Sequence, residues 1–216
     1  MLQLYGPQGW WPLISKGGYH CGDYTVPDHW QQRFEIGVGA ILTQNTSWKQ
    51  VEKALVALHQ LQMLNHPQTL LDADCQIIET AIKSAGYFRQ KCKKLKIFSD
   101  FFLQHHRHIP SLSPRREELL SLWGIGPETA DSILLYAYGV PIFVIDAYTK
   151  RIFTFLGMYK EALGYNQQQE LFMNNLKSET ILYQEYHALI VLHAKKYYSV
   201  KPYGSECPLR DMVQQL

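Results

Sequence analysis

The sequence has no apolar run that approaches the roughly 20 residues that a membrane-spanning helix requires. Its first segment, MLQLYGPQGWWPL, lacks the basic end and the small-residue cleavage site of a secretory signal peptide. Both absences lead us to expect a cytoplasmic protein. Charged residues are also sparse, at 19% of 216 residues, whereas 46% are hydrophobic, which is the balance of a globular rather than a disordered chain.

Cysteine is scarce too, and no pair has the CxxC spacing of many metal and redox sites. We therefore expect free thiols in a reducing compartment. The formal net charge is only +2, which permits a nucleic-acid partner without arguing for one. Basic residues do cluster, in RQKCKKLK (89–96) and KKYYSVK (195–201), but a solvated helix face explains each cluster equally well. The cysteines are Cys21, Cys75, Cys92 and Cys207.

The alternation typical of strands is missing, as are repeats and low-complexity tracts, whereas apolar residues recur at helical spacing along most of the chain. One apolar stretch, 142–145, has strand character, but a single strand has nothing to pair with. The sequence therefore predicts an all-α fold. Helices are predicted over 33–42, 48–61, 66–85, 91–104, 113–124, 127–139, 146–157, 168–176 and 179–197.

Two of these helices are joined by the segment LWGIGPETA (122–130), in which Gly124 and Gly126 bracket Ile125. Glycines permit a corner too tight for side chains and let another backbone approach closely. The second helix begins with free amides, around Thr129, that suit a phosphate group of any base sequence. Ile125 would fill the core and keep the corner rigid. An ordinary corner between two helices explains the same glycines.

The longer stretch LWGIGPETADSILLYAYGVPIFVIDAYTKRIFTFLG resembles the helix-hairpin-helix, Gly/Pro-rich loop and aspartate signature of the endonuclease III superfamily of DNA glycosylases. Three more stretches are similar to that family in the same order, so the resemblance covers most of 33–210: GAILTQNTSWKQVEKAL, AGYFRQKCKKLK and YHALIVLHAKKYY. WWP (10–12) and LTQNT (42–46) resemble the endonuclease III-related subgroup, which includes monofunctional 3-methyladenine glycosylases.

The resemblance implies a two-lobed all-α glycosylase fold and a partner, damaged double-stranded DNA. A six-helix barrel lobe would span 33–142 and include the hairpin at about 115–138. Residues 1–32 and 143–216 would form a second helical lobe, with the DNA groove between the two. The resemblance further implies a monomer that acts at the nucleoid of a bacterium or an archaeon.

Asp146 follows the apolar residues 143–145 and is placed to be the N-cap of the next helix, where backbone amides favour its ionised form. A plain N-cap explains it by itself, but the resemblance implies the catalytic aspartate. A carboxylate there can stabilise an oxocarbenium-like sugar and orient or deprotonate a water. His187 and His193 lie six apart and so on different faces of a later helix, and we assign them core or surface roles.

Glu128 occupies the hairpin position at which family members with lyase activity keep a lysine whose amine attacks the sugar. A carboxylate cannot form a Schiff base, so we predict hydrolytic base removal that leaves an abasic site. Lys150, one helical turn after Asp146, could supply an amine, although a phosphate contact is the simpler role, and Lys91 is a second candidate for such a contact. Two alternatives remain open, a bifunctional glycosylase/lyase for oxidised pyrimidines and a non-catalytic helix-hairpin-helix DNA-binding protein.

A glycosylase must flip its target nucleotide out of the stack. Gln44 resembles the family residue that fills the vacated space, and Asn45 either contacts the opposite strand or caps the next helix. Trp10, Trp11 and Pro12 offer flat surfaces to an alkylated purine, because a cationic ring is attracted to an aromatic face. Packing of the N-terminal arm on the second lobe explains these three residues equally well.

Many family members carry a [4Fe–4S] cluster on a Cys-x6-Cys-x2-Cys-x5-Cys motif near the C-terminus. By alignment with that motif, the four positions here hold Tyr197, Gly204, Cys207 and Val213. We therefore expect no cluster and no required cofactor. Relatives also bind a monovalent cation, Na⁺ or K⁺, through hairpin carbonyls, and by position these would belong to Leu120, Leu122 and Ile125.

Overall fold

The computed structural model describes residues 1–108, 112–158 and 163–209, and these parts of the chain form eleven α-helices and two short 3₁₀ turns, with no strand. The predicted all-α fold is confirmed. Within the same ranges no helix is long and apolar enough to cross a membrane. The helices are α1 (Leu2–Tyr5), α2 (Trp30–Leu42), α3 (Trp48–Gln60), α4 (Pro67–Asp72), α5 (Cys75–Ala81), α6 (Phe88–His108), α7 (Arg116–Leu120), α8 (Pro127–Tyr138), α9 (Ala147–Phe155), α10 (Tyr165–Asn175) and α11 (Thr180–Tyr197).

Helix α2 lies in the core, where it packs against both α6 and α8. Ten of its thirteen residues are buried, as expected of a helix that is surrounded by protein. Two glycines let aromatic rings reach its backbone. A Cβ on Gly37 would lie 2.2 Å from Cζ of Phe98, and one on Gly39 would lie 2.8 Å from Nε1 of Trp11. This close packing fixes α2 and the loop that follows it, which carries Gln44.

Several helices differ from their predicted limits, and one predicted helix is divided. The predicted helix 66–85 is divided into α4 and α5, because Ala73 and Asp74 adopt extended backbone angles. The carboxylate of Asp74 accepts a hydrogen bond from the amide of Gln76 (2.7 Å) and so starts a new helix. The helix predicted from residue 113 starts instead at Arg116.

The apolar stretch before α9 is not a strand, and side chains of α10 hold it in place. The carbonyl of Phe143 accepts a hydrogen bond from Nε2 of Gln169 (2.6 Å). The amide of Ile145 donates to the hydroxyl of Tyr165 (3.4 Å). Because these bonds fix the backbone on the approach to α9, α10 determines where Asp146 lies.

A buried ion pair connects α7, α8 and α10. Asp131 is fully buried, and its carboxylate accepts hydrogen bonds from Nε (2.6 Å) and Nη2 (3.1 Å) of Arg116. The hydroxyl of Tyr165 (2.8 Å) and the amide of Gln169 (2.7 Å) donate to the same carboxylate. Since these two residues also hold the backbone before Asp146, the network links the hairpin to the candidate catalytic residue.

Helix α11 packs against α1, α8 and α9, so it touches helices from both predicted lobes. Carboxylates on two helices help to hold the N-terminal arm. The carboxylate of Glu185 in α11 accepts a hydrogen bond from the amide of Gln8 (2.9 Å), and the carboxylate of Glu35 in α2 accepts one from the amide of Ile14. The boundary between the two lobes stays a prediction.

Candidate active site

Asp146 is the N-cap of α9, as predicted. Its Oδ1 accepts hydrogen bonds from the amide (2.6 Å) and the hydroxyl (2.7 Å) of Thr149. Two cavities meet at this carboxylate, an open cleft of about 850 Å³ and a small pocket of about 120 Å³. Asp146 therefore starts a helix and also lines both cavities, although only 8% of the residue is exposed.

His187 of α11 lies beside Asp146, with 3.7 Å between its Nε2 and Oδ2. Its Nδ1 is hydrogen-bonded to the hydroxyl of Tyr136 (2.8 Å), which orients the ring. Burial tends to raise the pKa of Asp146, but His187 and Thr149 favour the ionised carboxylate and hold that pKa below its ordinary value. This role of His187 was not predicted, because no spacing within α11 relates it to Asp146.

The cleft lies between the hairpin, the loop 43–47 and the first turn of α9. The N-termini of α8 and α9 both open into it, and helix N-termini favour negative charge. The N-cap of α8 is Gly126, which has no side chain to cap the first turn, and amides of that turn are left for an anion. Asn45 and Lys150 are exposed on the cleft wall. The cleft thus offers helix amides and an ammonium group to an anionic chain.

Gln44 is hydrogen-bonded to the hairpin. Its Nε2 donates to the carbonyl of Gly124 and to the hydroxyl of Thr129, both at 3.0 Å, and its Oε1 accepts from Nζ of Lys94 (2.5 Å). Gly124 has a φ of 83°, and a Cβ there would lie 2.4 Å from Cε of Lys94, so the turn and the contact both require glycine. Ile125 is buried in the core, which confirms its predicted packing role. The contact of Lys94 with Gln44 was not predicted.

The small pocket has walls of tryptophan. Trp10 is partly buried, with its ring centroid 5.0 Å from that of Trp48, whereas Trp11 is 5% exposed and packs between Trp48 and Tyr136. Trp10 therefore offers the more accessible ring, and Trp11 belongs mainly to the core. Pro12 is buried and does not line the pocket, so its predicted place there is wrong. The charged and polar lining includes Glu128, Ser132, Asp146, His187 and Lys195.

Lys91 is placed where a phosphate contact is not possible, and that prediction is wrong. Its side chain is 2% exposed, and Nζ donates to the carbonyls of Leu42 (2.9 Å) and Ala85 (2.7 Å). Burial and the nearby charge of Lys94 lower the pKa of Lys91 to about 8. The lysine satisfies a carbonyl at the C-terminal end of α2, which is a structural role.

The C-terminal segment does not fit an iron–sulfur cluster. Tyr197 and Gly204 carry no thiol, and their backbones are joined by a hydrogen bond from the amide of Gly204 to the carbonyl of Tyr197 (2.8 Å). The Sγ of Cys207 lies 3.1 Å from Nε2 of His193. Val213 lies outside the described residues and is not a cysteine. A single thiol cannot hold a cluster that needs four ligands.

A cation at the hairpin stays a prediction. Its proposed ligands are backbone carbonyls, those of Leu120, Leu122 and Ile125. The carbonyl of Leu122 already accepts a hydrogen bond from the amide of Ile125 (3.1 Å), which leaves it one lone pair. Among the residues that the structure describes, no group of three or more His, Cys, Asp or Glu side chains could hold a metal ion.

An all-α chain in which a glycine hairpin, a helix-capping aspartate and an aromatic pocket adjoin one cleft has the features of a helix-hairpin-helix DNA glycosylase. Residues 38–178 match the family model of the HhH-GPD superfamily of base excision DNA repair proteins. The chain belongs to this superfamily, and the resemblance noted in its sequence is confirmed.

Two relatives cover most of the chain. A protein of Methanocaldococcus jannaschii, named as a candidate DNA repair glycosylase, is 38% identical over 218 residues, which span 98% of this chain and 91% of the relative. An endonuclease III of Sulfolobus acidocaldarius is 29% identical over 82% of this chain and 80% of the relative.

Solved structures share the fold. The crystal structure of an H. pylori 3-methyladenine DNA glycosylase bound to 1,N6-ethenoadenine has 27% sequence identity and a TM-score of 0.66, over 76% of this chain and 85% of that one. An endonuclease III in a non-covalent complex with DNA has a TM-score of 0.70 over 82% of this chain and 80% of that one. Its sequence identity is only 19%, so this second likeness concerns the fold alone.

Proposed function

We propose that the protein is a monofunctional DNA N-glycosylase that flips an alkylated purine out of duplex DNA and hydrolyses its glycosidic bond. The main support is the place of Asp146, whose carboxylate lies where the cleft meets the aromatic pocket. A nucleotide with its sugar in the cleft and its base in the pocket would have its glycosidic bond beside this carboxylate. Membership of the HhH-GPD superfamily supports the reaction class, base excision DNA repair.

Duplex DNA would lie in the cleft, between the two predicted lobes. The first-turn amides after Gly126 and the ammonium of Lys150 are suited to backbone phosphates. Gln44 and Asn45 border the same cleft and would fill the space that the flipped nucleotide leaves. To do so, Gln44 has to exchange its hydrogen bonds with Gly124 and Thr129 for contacts with bases.

An alkylated purine suits the small pocket. N7- and N3-alkylated purine nucleotides carry a positive charge, and the rings of Trp10 and Trp48 would attract it. The carboxylate of Asp146 adds negative charge on the same lining. The likeness to the H. pylori glycosylase bound to 1,N6-ethenoadenine also supports a modified purine as the ligand.

Cleavage of the glycosidic bond leaves positive charge on the deoxyribose. The carboxylate of Asp146 would stabilise that charge and orient or deprotonate the attacking water, and His187 helps to keep the carboxylate ionised. Glu128, at the position of the lyase lysine, has no amine with which to form a Schiff base. The products would be the free base and an abasic site.

A bifunctional glycosylase/lyase is the second candidate function, and Lys195 favours it. Its side chain lines the small pocket together with Asp146. Desolvation lowers the pKa of Lys195, which increases the fraction of neutral, nucleophilic amine. Lys150, which lines the cleft beside Asp146, is the other amine within reach.

The strand product distinguishes the two candidates. Duplexes that contain 7-methylguanine or 1,N6-ethenoadenine should lose the base and keep an intact strand, which breaks only after alkali treatment. Borohydride should trap no covalent adduct. Strand cleavage without alkali together with a trapped adduct would establish the lyase, and Lys195→Met and Lys150→Met variants would identify its amine. If no alkylated purine is released, the proposed function is wrong.

The two N-terminal tryptophans should respond differently to replacement by alanine. Trp10→Ala removes a stacking surface and should slow base release about tenfold to a hundredfold. Trp11→Ala removes a core ring and should lower the free energy of unfolding by about 3–5 kcal/mol. Single-turnover excision and urea unfolding of both variants measure the difference. Equal excision rates for Trp10→Ala and the wild type would assign Trp10 to packing alone.

A further inference from the structure

Glu128 is a second carboxyl group at the reaction centre, and hydrolysis by Asp146 and water alone gives it no part in the chemistry. It lies in the first turn of α8 and lines both the cleft and the small pocket, as Asp146 does. The carboxylate of Asp146 is held by hydrogen bonds from Thr149. For Glu128, no donor in the described ranges forms such a bond, so its carboxyl group can contact a base in the pocket.

The surroundings of the two carboxyl groups shift their pKa values in opposite directions. Desolvation and the negative charge of Asp146 raise the pKa of Glu128, and the nearby His187 and Lys150 only partly offset this effect. Burial acts on Asp146 as well, but His187 is close enough to hold its pKa below the ordinary value. Lys195 faces the same pocket. Two neighbouring carboxyl groups whose pKa values are shifted in opposite directions are typical of an acid and a base that act in one reaction.

Damaged bases differ in their need for an acid. A 7-methylguanine or 3-methyladenine nucleotide already carries a positive charge, so its base leaves as a neutral molecule. An uncharged lesion such as 1,N6-ethenoadenine leaves as an anion unless a proton is supplied. A positioned general acid accelerates such a step by about 10²–10⁴-fold.

We propose that Glu128 is the general acid that protonates the departing base, and that it extends the substrate class from cationic alkylpurines to uncharged purine lesions. This inference rests on the proposed glycosylase function. The C1′–N bond breaks, and the base takes the bonding electron pair and the proton of the Glu128 carboxyl group. Water adds to C1′ beside Asp146, and the proton that it loses restores the Glu128 carboxyl group. The net reaction consumes one water and no proton.

The pH dependence of excision by the full-length protein tests the role of Glu128. Single-turnover rates are measured on one duplex with 1,N6-ethenoadenine and another with 7-methylguanine. Above the pKa of Glu128 the acid is lost, so the rate for 1,N6-ethenoadenine should fall about tenfold per pH unit. The rate for 7-methylguanine should not follow this decline, because its base needs no proton.

Two glutamine variants separate the acid from a general effect of charge. Glu128→Gln should lower the rate for 1,N6-ethenoadenine about 100-fold and remove its alkaline decline. The loss for 7-methylguanine should be less than about tenfold, since no proton transfer is involved. Glu117→Gln is the matched control, because Glu117 is an exposed first-turn glutamate of α7 that lines neither cavity. It should change neither rate.

Each contrary result points to a different error. Equal losses for both lesions in Glu128→Gln, or an unchanged pH profile, would overturn the acid role and leave the glycosylase function intact. Release of 7-methylguanine alone by the wild type would overturn the extension to uncharged lesions. Release of neither base by the wild type would overturn the proposed function itself.

Discussion

An Asp146→Asn variant should release damaged bases about 1000-fold more slowly than the wild type while it keeps its fold. Asparagine is as good an N-cap as aspartate, so the introduced amide oxygen can still accept the two hydrogen bonds from Thr149. The negative charge that faces the sugar is lost, and with it the stabilisation of the developing cation. Single-turnover base release and thermal unfolding, measured on the same preparation, check both parts of this prediction.

Asp74→Asn provides the matched control. Asp74 is likewise an aspartate N-cap, at the start of α5, but it is exposed and lines neither the cleft nor the small pocket. The same chemical change at this position should leave base release at the wild-type rate. If Asp146→Asn retained the wild-type rate as well, Asp146 would be a helix cap alone and the proposed mechanism would fail.

The lowered pKa of Asp146 determines how the rate of base release changes at low pH. The rate of 7-methylguanine release should hold as the pH falls into the mildly acidic range, and decline only through the depressed pKa of Asp146. The free energy of unfolding should fall at low pH as well, because a carboxyl group with a lower pKa in the folded state stabilises the protein above its unfolded pKa. That contribution is lost as the pH falls through the folded value. Asp146→Asn should abolish both effects.

The fold could be predicted wherever a local sequence pattern determines the backbone conformation. The helical spacing of apolar residues located α3 and α11 almost to the residue, and Pro127 located the start of α8. Continuity over 66–85 was wrong, because a single hydrogen bond from Gln76 to Asp74 starts a new helix there. Spacing alone does not show such a bond, since the apolar residues on either side of the break keep a helical pattern.

The candidate site could be predicted where its residues lie within short stretches that resemble the family. Asp146 and Glu128 both belong to the hairpin and the loop that follows it, and the family signature includes them. His187, Trp48 and Lys195 reach the same pocket from other helices, so their approach depends on tertiary packing. Sequence spacing within each helix carries no information on that approach.

Lys91 and Lys94 show that the contacts of a charged side chain could not be predicted from the sequence either. Both belong to one basic run, for which the sequence is compatible with a solvated face or a phosphate site. In the structure Lys91 donates to the carbonyls of Leu42 and Ala85, and Lys94 donates to Gln44 at the hairpin. A basic run therefore does not distinguish a lysine that faces DNA from one that satisfies carbonyls in the core.

Asp131→Asn should lower the free energy of unfolding by about 3 kcal/mol. Asp131 is fully buried and is the acceptor for Arg116, Tyr165 and Gln169, so removal of its charge leaves a guanidinium without its partner. The side chain of Arg116 is 23% exposed and keeps some contact with water. The expected loss is therefore at the lower end of the range for removing one partner of a buried ion pair. Urea unfolding measures this loss against the surface control Asp100→Asn.

The same variant should also slow base release, although Asp131 touches neither cavity. Gln169 donates hydrogen bonds to Asp131 and to the carbonyl of Phe143. Tyr165 donates one to Asp131 and accepts one from the amide of Ile145. Loosening of these bonds would let Asp146 move from the glycosidic bond. In the double variant Asp131→Asn/Arg116→Met neither member of the pair leaves an unpaired buried charge, so part of the stability should return, as a double-mutant cycle would show. If base release stayed slow in that stable double variant, the network would act on Asp146 by position rather than by global stability.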